Sequence, residues 1–583
     1  MAIRNPWHGC IKIIDQNQNR NLNKKIQLDA PGQNLLSVLQ ENQVYLDAPC
    51  AGNGSCGKCR VRFVKSAPEP TEKEKKLLSE TEIADNIRLA CATVLTTDCT
   101  IELVDSAQQV QTVEAGGQLQ QPTKASNQSR ITGQRRKAKD AAFGIAIDIG
   151  TTTLAMSLLL LDEDPDSATE TEFMTGTEFA ANTEFATRTD STTGTELAVV
   201  TSINHQRTYG ADVLSRIQAA NEGKGAILLE CIRQDLNRML DELLKKTNTP
   251  DTAIKKIAIA GNTTMCHLLL GYSCEKLGVS PFIPEDISLQ EKSFSEVFDN
   301  SRLTADVTIL PGISAFIGAD IVAGIYACDM HKSNQPQMLL DIGTNGEMVI
   351  GNKEGFIVTS AAAGPVFEGG GLTCGVAGVP GAVSHLRIEA EIAKENNKEQ
   401  TYSCTYETIG SMPPIGLCGS GVIDAAAELL KNELIDENGT LEERWFEDGF
   451  PIADDIYFSQ RDIREIQMGK SAIRSGIETL LEEFEKQTGR KAEQIFLAGG
   501  FGCFMDVKNA VKIGLFPEFF LEKRIIAAGN TALKGAEKFL TDTDAKKQLQ
   551  EIVSSSKEQN LALHDAFQER YLEYMFFGKY YQK

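Results

Sequence analysis

The chain has 583 residues, a formal net charge of −22 and 42% hydrophobic residues. That length predicts several domains with full-sized cores, and no apolar run approaches the ~18 residues of a membrane-spanning helix. The acidic balance excludes a general nucleic-acid binder, which needs a basic face, and suits a soluble protein that steers a less acidic partner.

Residues 1–105 read as one small domain. His8-Gly-Cys-Ile-Lys-Ile-Ile14 and Lys25-Ile-Gln-Leu28 alternate like paired strands, and Asn34-Leu-Leu-Ser-Val-Leu-Gln40 reads as a short helix. Asp47-Ala-Pro-Cys50-Ala-Gly-Asn-Gly-Ser-Cys56-Gly-Lys-Cys59 follows, and a fourth cysteine comes later in Arg88-Leu-Ala-Cys91. Three thiolates on a glycine-rich loop and a fourth from a distant segment suit a [2Fe–2S] cluster, with Cys50, Cys56, Cys59 and Cys91 as its ligands. The small residues let the backbone wrap the cluster and turn N–H groups toward its sulfides. The spacing C-x5-C-x2-C differs from the plant type by one residue and is familiar from adrenodoxin-like ferredoxins. A zinc site would favour two C-x2-C knuckles, and here one pair has that spacing. A disulfide framework needs an oxidising compartment, and the N-terminus shows no secretory signal. The other ten of the fourteen cysteines are scattered singly and read as core thiols of a reduced cytoplasm.

Arg60-Val-Arg-Phe-Val64 reads as a strand after the cysteine loop, and Thr71-Glu-Lys-Glu74 as a capping box ahead of a helix. Cys99-Thr-Ile-Glu-Leu103 is expected to close the sheet. The order is that of a β-grasp ferredoxin. Residues 106–140 have a linker composition. They end near the basic cluster 135–139, which reads as a solvated linker end. In 163–196, Thr171-Glu-Phe, Thr177-Glu-Phe, Thr183-Glu-Phe and Thr195-Glu-Leu recur on a six-residue step. An even period puts the aromatics on one face of an extended strand, and the position between two strand-like runs predicts an expanded hairpin tip without catalytic role.

The remaining chain, divided as 141–335 and 336–583, carries a second signal. Phe143-Gly-Ile-Ala-Ile-Asp148-Ile-Gly150-Thr-Thr-Thr153 is an apolar strand that ends in Asp and a Gly/Thr turn. Met338-Leu-Leu-Asp341-Ile-Gly343-Thr-Asn-Gly346-Glu-Met-Val repeats the design one lobe later. Such turns offer N–H groups and hydroxyls to phosphates, with the Asp standing by for hydrated Mg²⁺. The candidates are Asp148, Gly150, Thr151, Thr152 and Thr153, then Asp341, Gly343, Thr344, Asn345 and Gly346. Gln494-Ile-Phe-Leu-Ala-Gly499-Gly500-Phe-Gly502 is a strand ending in glycines against which a nucleoside could lie, on Gly499 and Gly500. Small-residue helices are expected over 312–324 and 527–536. The order resembles the five-part signature of the actin, sugar kinase and Hsp70 superfamily, two-lobed ribonuclease H-like folds that close on ATP. Gly261-Asn-Thr-Thr264 and Gly416-Leu-Cys-Gly-Ser-Gly421 read either as further phosphate contacts or as tight turns. Ala363-Gly-Pro-Val-Phe-Glu368-Gly-Gly-Gly371 reads equally as a turn or as a loop near the γ-phosphate in which Glu368 positions water. Aromatics from Phe567 to Phe577 at helical spacing predict a C-terminal docking helix.

The whole α/β multidomain chain resembles the ATP-dependent reductive activators of corrinoid proteins. The matching residues are the cysteine quartet, Ala146-Ile-Asp-Ile-Gly-Thr-Thr, Gly210-Ala-Asp-Val-Leu-Ser-Arg-Ile, Ala260-Gly-Asn-Thr-Thr-Met, Leu340-Asp-Ile-Gly-Thr-Asn-Gly-Glu and Leu497-Ala-Gly-Gly-Phe-Gly. The Thr-Glu-Phe repeat departs from the family pattern. The resemblance implies a [2Fe–2S] cluster, ATP and Mg²⁺ as cofactors, a methyltransferase-associated corrinoid protein as partner, and an external low-potential electron donor. It implies no nucleic acid and no membrane, and is compatible with a homodimer. One electron would return an inactive Co(II) corrinoid to Co(I), and the corrinoid would belong to the partner, since the chain carries no Asp-x-His-x-x-Gly. The alternatives are a small-metabolite kinase with a ferredoxin as redox sensor, and a nucleotide-gated interaction module carrying a ferredoxin. The 2-hydroxyacyl-CoA dehydratase activators share the logic, but they hold their cluster at a dimer interface without a four-cysteine domain.

Overall fold

This computed structural model describes residues 9–14, 24–28, 30–42, 44, 46, 48, 52, 54, 57–65, 67–104, 142–161, 195–391 and 400–577. The expected linker 106–140 and its basic cluster lie outside these residues. So does the Thr-Glu-Phe repeat, except for Thr195 and Glu196.

The N-terminal sheet runs in the order Lys24–Leu28, Gly9–Ile14, Cys99–Leu103, Arg60–Lys65, Ile87–Leu89. Ile11 and Ile13 point into the core while Lys12 stays out, the period-two pattern of a half-buried strand. The strand expected to close the sheet, Cys99–Leu103, instead runs through its centre, parallel to Gly9–Ile14 and antiparallel to Arg60–Lys65. Cys99, Ile101 and Leu103 are all buried, which suits a central strand. Helix Leu35–Glu41 lays Leu35, Leu36, Val38 and Leu39 on the sheet and is capped by Asn34, which accepts from the Ser37 N–H. Thr71 and Glu74 exchange the reciprocal bonds of a capping box at 2.7 and 3.3 Å, although the helix itself starts at Glu74.

Two six-stranded sheets form the centres of the two lobes. The first has the order Thr195–Ile203, Thr153–Leu161, Ala142–Ile149, Ile254–Gly261, Asp306–Ile309, Gln290–Ser293. The strands that flank the repeat segment pair antiparallel, Leu160 opposite Thr195. The second sheet has the order Arg524–Gly529, Gln494–Ala498, Gln337–Ile342, Gly346–Asn352, Gly355–Ala361, Ser556–Glu558. In both, an antiparallel hairpin is flanked by a parallel strand on the other side of its first member, so the duplicated motif becomes a duplicated fold. Helix Gly225–Thr247 covers the first sheet with Leu228, Ile232, Leu236, Met239 and Leu243, an apolar stripe at spacings of three and four. Helix Gln460–Thr488 covers the second. Ser459 and Asp462 form its capping box, and Gly489, at φ 68°, ends it in the left-handed conformation.

The lobes meet at two crossing helices. The run 312–324 becomes helical only at Ala319–Ala327; before it, Gly318 closes a turn where a Cβ would lie 2.5 Å from the Thr263 nitrogen. The run 527–536 likewise divides, its first residues completing Arg524–Gly529 and Asn530 capping helix Thr531–Thr541. The turn-forming Gly318 and Asn530 explain both differences, since each interrupts an apolar run that composition alone reads as continuous. The two helices touch at glycine: a Cβ on Gly535 would lie 2.3 Å from the Ala323 carbonyl oxygen, and one on Gly324 3.0 Å from Thr531 Oγ1. The C-terminal helix Asp565–Glu573 packs on Gln460–Thr488. Buried Lys470 fastens the segment after it, donating to the Phe576 carbonyl at 2.9 Å beside buried Phe577. Among the described residues no helix is long and apolar enough to cross a membrane.

Candidate functional site

The edges of both lobes meet in a cleft lined with carboxylates. Asp148 ends strand Ala142–Ile149, with Gly150, Thr151 and Thr152 in the turn and Thr153 opening the next strand. Asp341 sits at the same place in Gln337–Ile342, followed by Gly343, Thr344 and Asn345, with Gly346 opening the return strand. Each turn is closed by its glycine: Gly150 N–H donates to the Thr153 carbonyl, three residues on, at 3.0 Å, and Gly343 N–H to that of Asn345, two residues on, at 2.8 Å.

Glu368 joins the two turns. Its Oε2 accepts from Thr344 Oγ1 at 2.9 Å and from Thr152 Oγ1 at 3.1 Å, one hydroxyl from each lobe. A second tie across the lobes runs from Asn530, whose Nδ2 donates to Asp148 Oδ2 at 2.7 Å. Thr151 Oγ1 accepts from Asn262 Nδ2 at 2.9 Å. Gly499, at φ +80°, brings the end of strand Gln494–Ala498 against Asp341, a Cβ there lying 3.1 Å from Oδ1, whereas a Cβ on Gly500 would meet open space. Gly346 faces the other way: a Cβ would lie 2.0 Å from Ile473 Cδ1, so its missing side chain serves packing against Gln460–Thr488.

Asp320 and Glu347 complete the acidic lining. Burial pushes Asp148 up to about 7, against the Asn530 hydrogen bond and with help from Asp341. Asp320 and Asp341 also reach about 7, burial again leading, with Asp148 adding to the first and Asp320 and Glu368 to the second. Glu347 is raised well above its ordinary value by burial and then by Asp320 and Asp341. Burial raises Glu368 too, against its two threonine donors and the Arg207 cation. All five keep part of their surface open to solvent, so they line a cleft rather than a sealed core. Carboxylates crowded this way call for a divalent cation to stay ionised together. Among the described residues no three metal-ligating side chains come close enough to hold an ion directly.

Sequence reasoning selected Asp148 and Asp341 but passed over Asp320, Glu347 and Asn530. Asp320 had a signal, an acid inside the apolar run Ala319–Ala327. Asn530 and Asn262 are helix caps, and only the fold turns those caps toward the cleft.

In the N-terminal domain, Cys59 is buried at the start of Arg60–Lys65 and Cys91 is half-buried. The Cys91 N–H donates to Cys59 Sγ at 3.5 Å, and the Ala90 N–H to the Cys59 carbonyl at 2.8 Å. Asn34 Nδ2 donates to the Cys91 carbonyl at 2.8 Å. Buried Glu74 accepts from the Leu89 N–H at 2.7 Å, fixing the segment that carries Cys91. Gly52, Gly54 and Gly57 all have positive φ, 88°, 72° and 67°, the conformations a loop needs to fold its N–H groups inward. Cys50 and Cys56 lie outside the described residues. Two adjacent cysteines, one already accepting an N–H, fit the donor set of an iron–sulfur cluster.

Three family models match the chain. Residues 20–96 match the 2Fe-2S iron-sulfur cluster binding domain, 180–333 the RACo middle region, and 335–582 the C-terminal domain of RACo, the ASKHA domain. A corrinoid activation enzyme, RamQ, from Eubacterium limosum is 32% identical over 405 residues, spanning 64% of this chain and 65% of its own length. The [Co(II) methylated amine-specific corrinoid protein] reductase of Methanosarcina barkeri is 25% identical, over 71% and 72% of the two chains. The solved structure of a reductive activator for corrinoid, iron-sulfur protein superposes with a TM-score of 0.62 at 24% identity, over 97% of this chain and 98% of that one.

Proposed function

Because the chain is a RACo-type fusion of a [2Fe–2S] ferredoxin domain with an ASKHA domain, we propose that it reductively activates a corrinoid protein. In this reading it delivers one electron to an inactive Co(II) corrinoid on a partner, restoring Co(I), in a step driven by ATP. The observation that carries the reading is Glu368 clasping one threonine hydroxyl from each lobe inside a carboxylate-lined cleft, on a chain that also holds the cysteine pair Cys59 and Cys91. The printed names of the two curated relatives support the corrinoid as substrate.

The roles follow from the chemistry of the lining. Asp148 and Asp341 would hold Mg²⁺, which would screen the phosphate charge. Thr151, Thr152, Thr344 and Asn345 serve the phosphates, and Gly499 and Gly500 leave room for the adenosine. A triphosphate entering between Thr152 and Thr344 competes with Glu368 for their hydroxyls, which frees Glu368 to orient the attacking water. Cys50, Cys56, Cys59 and Cys91 would hold the cluster, which would supply a one-electron carrier fed by an external low-potential donor. ATP is needed because reduction of cobalt is uphill by ~2.3 kcal/mol per 100 mV for one charge. Lobe closure can offset that only by favouring a complex in which the cobalt is easier to reduce.

The test is anaerobic. The reduced protein is mixed with a Co(II) corrinoid protein from the same source, with and without Mg·ATP, and Co(I) absorbance is followed. Asp341→Ala is expected to keep the cluster spectrum and abolish ATP-dependent Co(I) formation. Wild-type rates in that variant would remove the cleft from the mechanism. Absence of Co(I), together with ATP turnover that responds to a small metabolite, would favour a kinase.

A further inference from the structure

The ferredoxin domain touches the first lobe through Gln40, near the end of helix Leu35–Glu41. Its Nε2 donates to the Thr208 carbonyl at 2.8 Å. Thr208 belongs to the short helical turn His205–Thr208, and the cap of that turn, fully buried Asn204, grips the first hairpin. Asn204 Nδ2 donates to the Gly150 carbonyl at 2.9 Å and its N–H to the Thr152 carbonyl at 3.0 Å. Fully buried Arg216 joins the end of that turn to the hairpin, donating to the carbonyls of Gly210, at 2.9 Å, and Thr151. Arg207, within the turn, is the cation that acts on Glu368. At the other end of the path, Asn34 caps helix Leu35–Glu41 and holds the Cys91 carbonyl. Hydrogen bonds and one short helix therefore lead from the 150–152 turn to the Cys91 segment.

We infer that the turn at 204–210 couples the cleft to the ferredoxin domain, with Gln40 as the positioning residue that transmits the state of the first hairpin to helix Leu35–Glu41. The inference rests on the proposed reading of the cleft as a nucleotide site. The Gln40 bond ties the ferredoxin domain to the turn that grips the first hairpin, so nucleotide binding that moves the hairpin shifts the population in which the ferredoxin domain is docked. Thr208 O is the acceptor of the Gln40 side-chain donor, so loss of that donor uncouples the two.

Hydrogen–deuterium exchange of the holoprotein, with and without Mg²⁺ and a non-hydrolysable ATP analogue, tests this. Gln40→Glu keeps the side chain's shape and removes its donors; Gln40→Ala removes both. In the wild type the analogue is expected to change exchange at 204–210 and at 35–42. In both variants the change at 204–210 persists, and that at 35–42 falls roughly fivefold, the population factor of one hydrogen bond. Visible absorbance confirms that all three proteins carry the cluster. A response at 35–42 as large in the variants as in the wild type overturns the inference. So does a wild type that responds at 204–210 alone. A wild type that responds at neither segment nor at the hairpins overturns the nucleotide reading beneath it.

Discussion

Glu368→Gln separates the chemical role of Glu368 from its clasp. The carboxylate accepts two hydroxyl hydrogen bonds, at 2.9 and 3.1 Å, and bonds to a charged acceptor contribute about 1 kcal/mol more each than bonds to a neutral one. The amide oxygen still accepts, so the variant forfeits about 2 kcal/mol at most. Against that loss, the neutral side chain no longer pays for burial and no longer repels Asp341, the two effects that raise the carboxylates of this cleft. The net change in stability is therefore within about 1 kcal/mol, a melting shift of no more than about 4 °C. Hydrolysis behaves differently. A residue that orients or deprotonates the attacking water contributes about 10² to 10⁴ in rate, so single-turnover ATP hydrolysis is expected to fall by that range. Mg·ATP affinity, measured by calorimetry, should hold or rise, because a negative charge has left the proposed phosphate site. A hydrolysis rate close to wild type would refute the assignment. A large fall in melting temperature with proportionate loss of nucleotide binding would make Glu368 a structural clasp and nothing more.

Two further outcomes follow from the cleft and the hinge. Asp148, Asp320 and Asp341 are raised to about 7 in the folded state, above their unfolded values near 3.9. Their contribution is thus present below about pH 4 and lost as pH rises through 7. Without Mg²⁺ and nucleotide the melting temperature should fall across that window, more shallowly in Asp320→Asn, and the stabilisation by Mg·ATP should be larger at pH 8 than at pH 5.5; an equal slope in Asp320→Asn would count against the coupled set. Gly535→Ala puts a Cβ 2.3 Å from the Ala323 carbonyl oxygen and should cost about 1–3 kcal/mol by overpacking, lowering the melting transition of the two lobes by several degrees while the cluster absorbance stays. Gly225→Ala, with its nearest neighbour at 3.8 Å, is the control that leaves the transition in place.

The elements that position chemistry were readable where a local pattern is its own cause. An apolar run ending in Asp and a Gly/Thr turn is a weak signal alone, because the pattern occurs by chance, and its recurrence at Asp148 and Asp341, one lobe apart, made it specific. The cysteine spacing and its glycines likewise carry their meaning in the order of residues, because a cluster loop is a local wrap of backbone. Tertiary structure decided what depends on distant segments meeting. Cys99–Leu103 became a central strand only because two others came to lie on either side of it. Asp320 and Asn530 are unremarkable in sequence, an acid in an apolar helix and a helix cap, until two crossing helices turn both toward Asp148. The Glu368 clasp joins residues 216 positions apart, and the path from Gln40 through Asn204 to Gly150 joins three separate segments. No local periodicity encodes such contacts: the lobes are brought together by the burial of nonpolar surface, which is non-directional, and which polar groups then face one another is set by the packed shape as a whole.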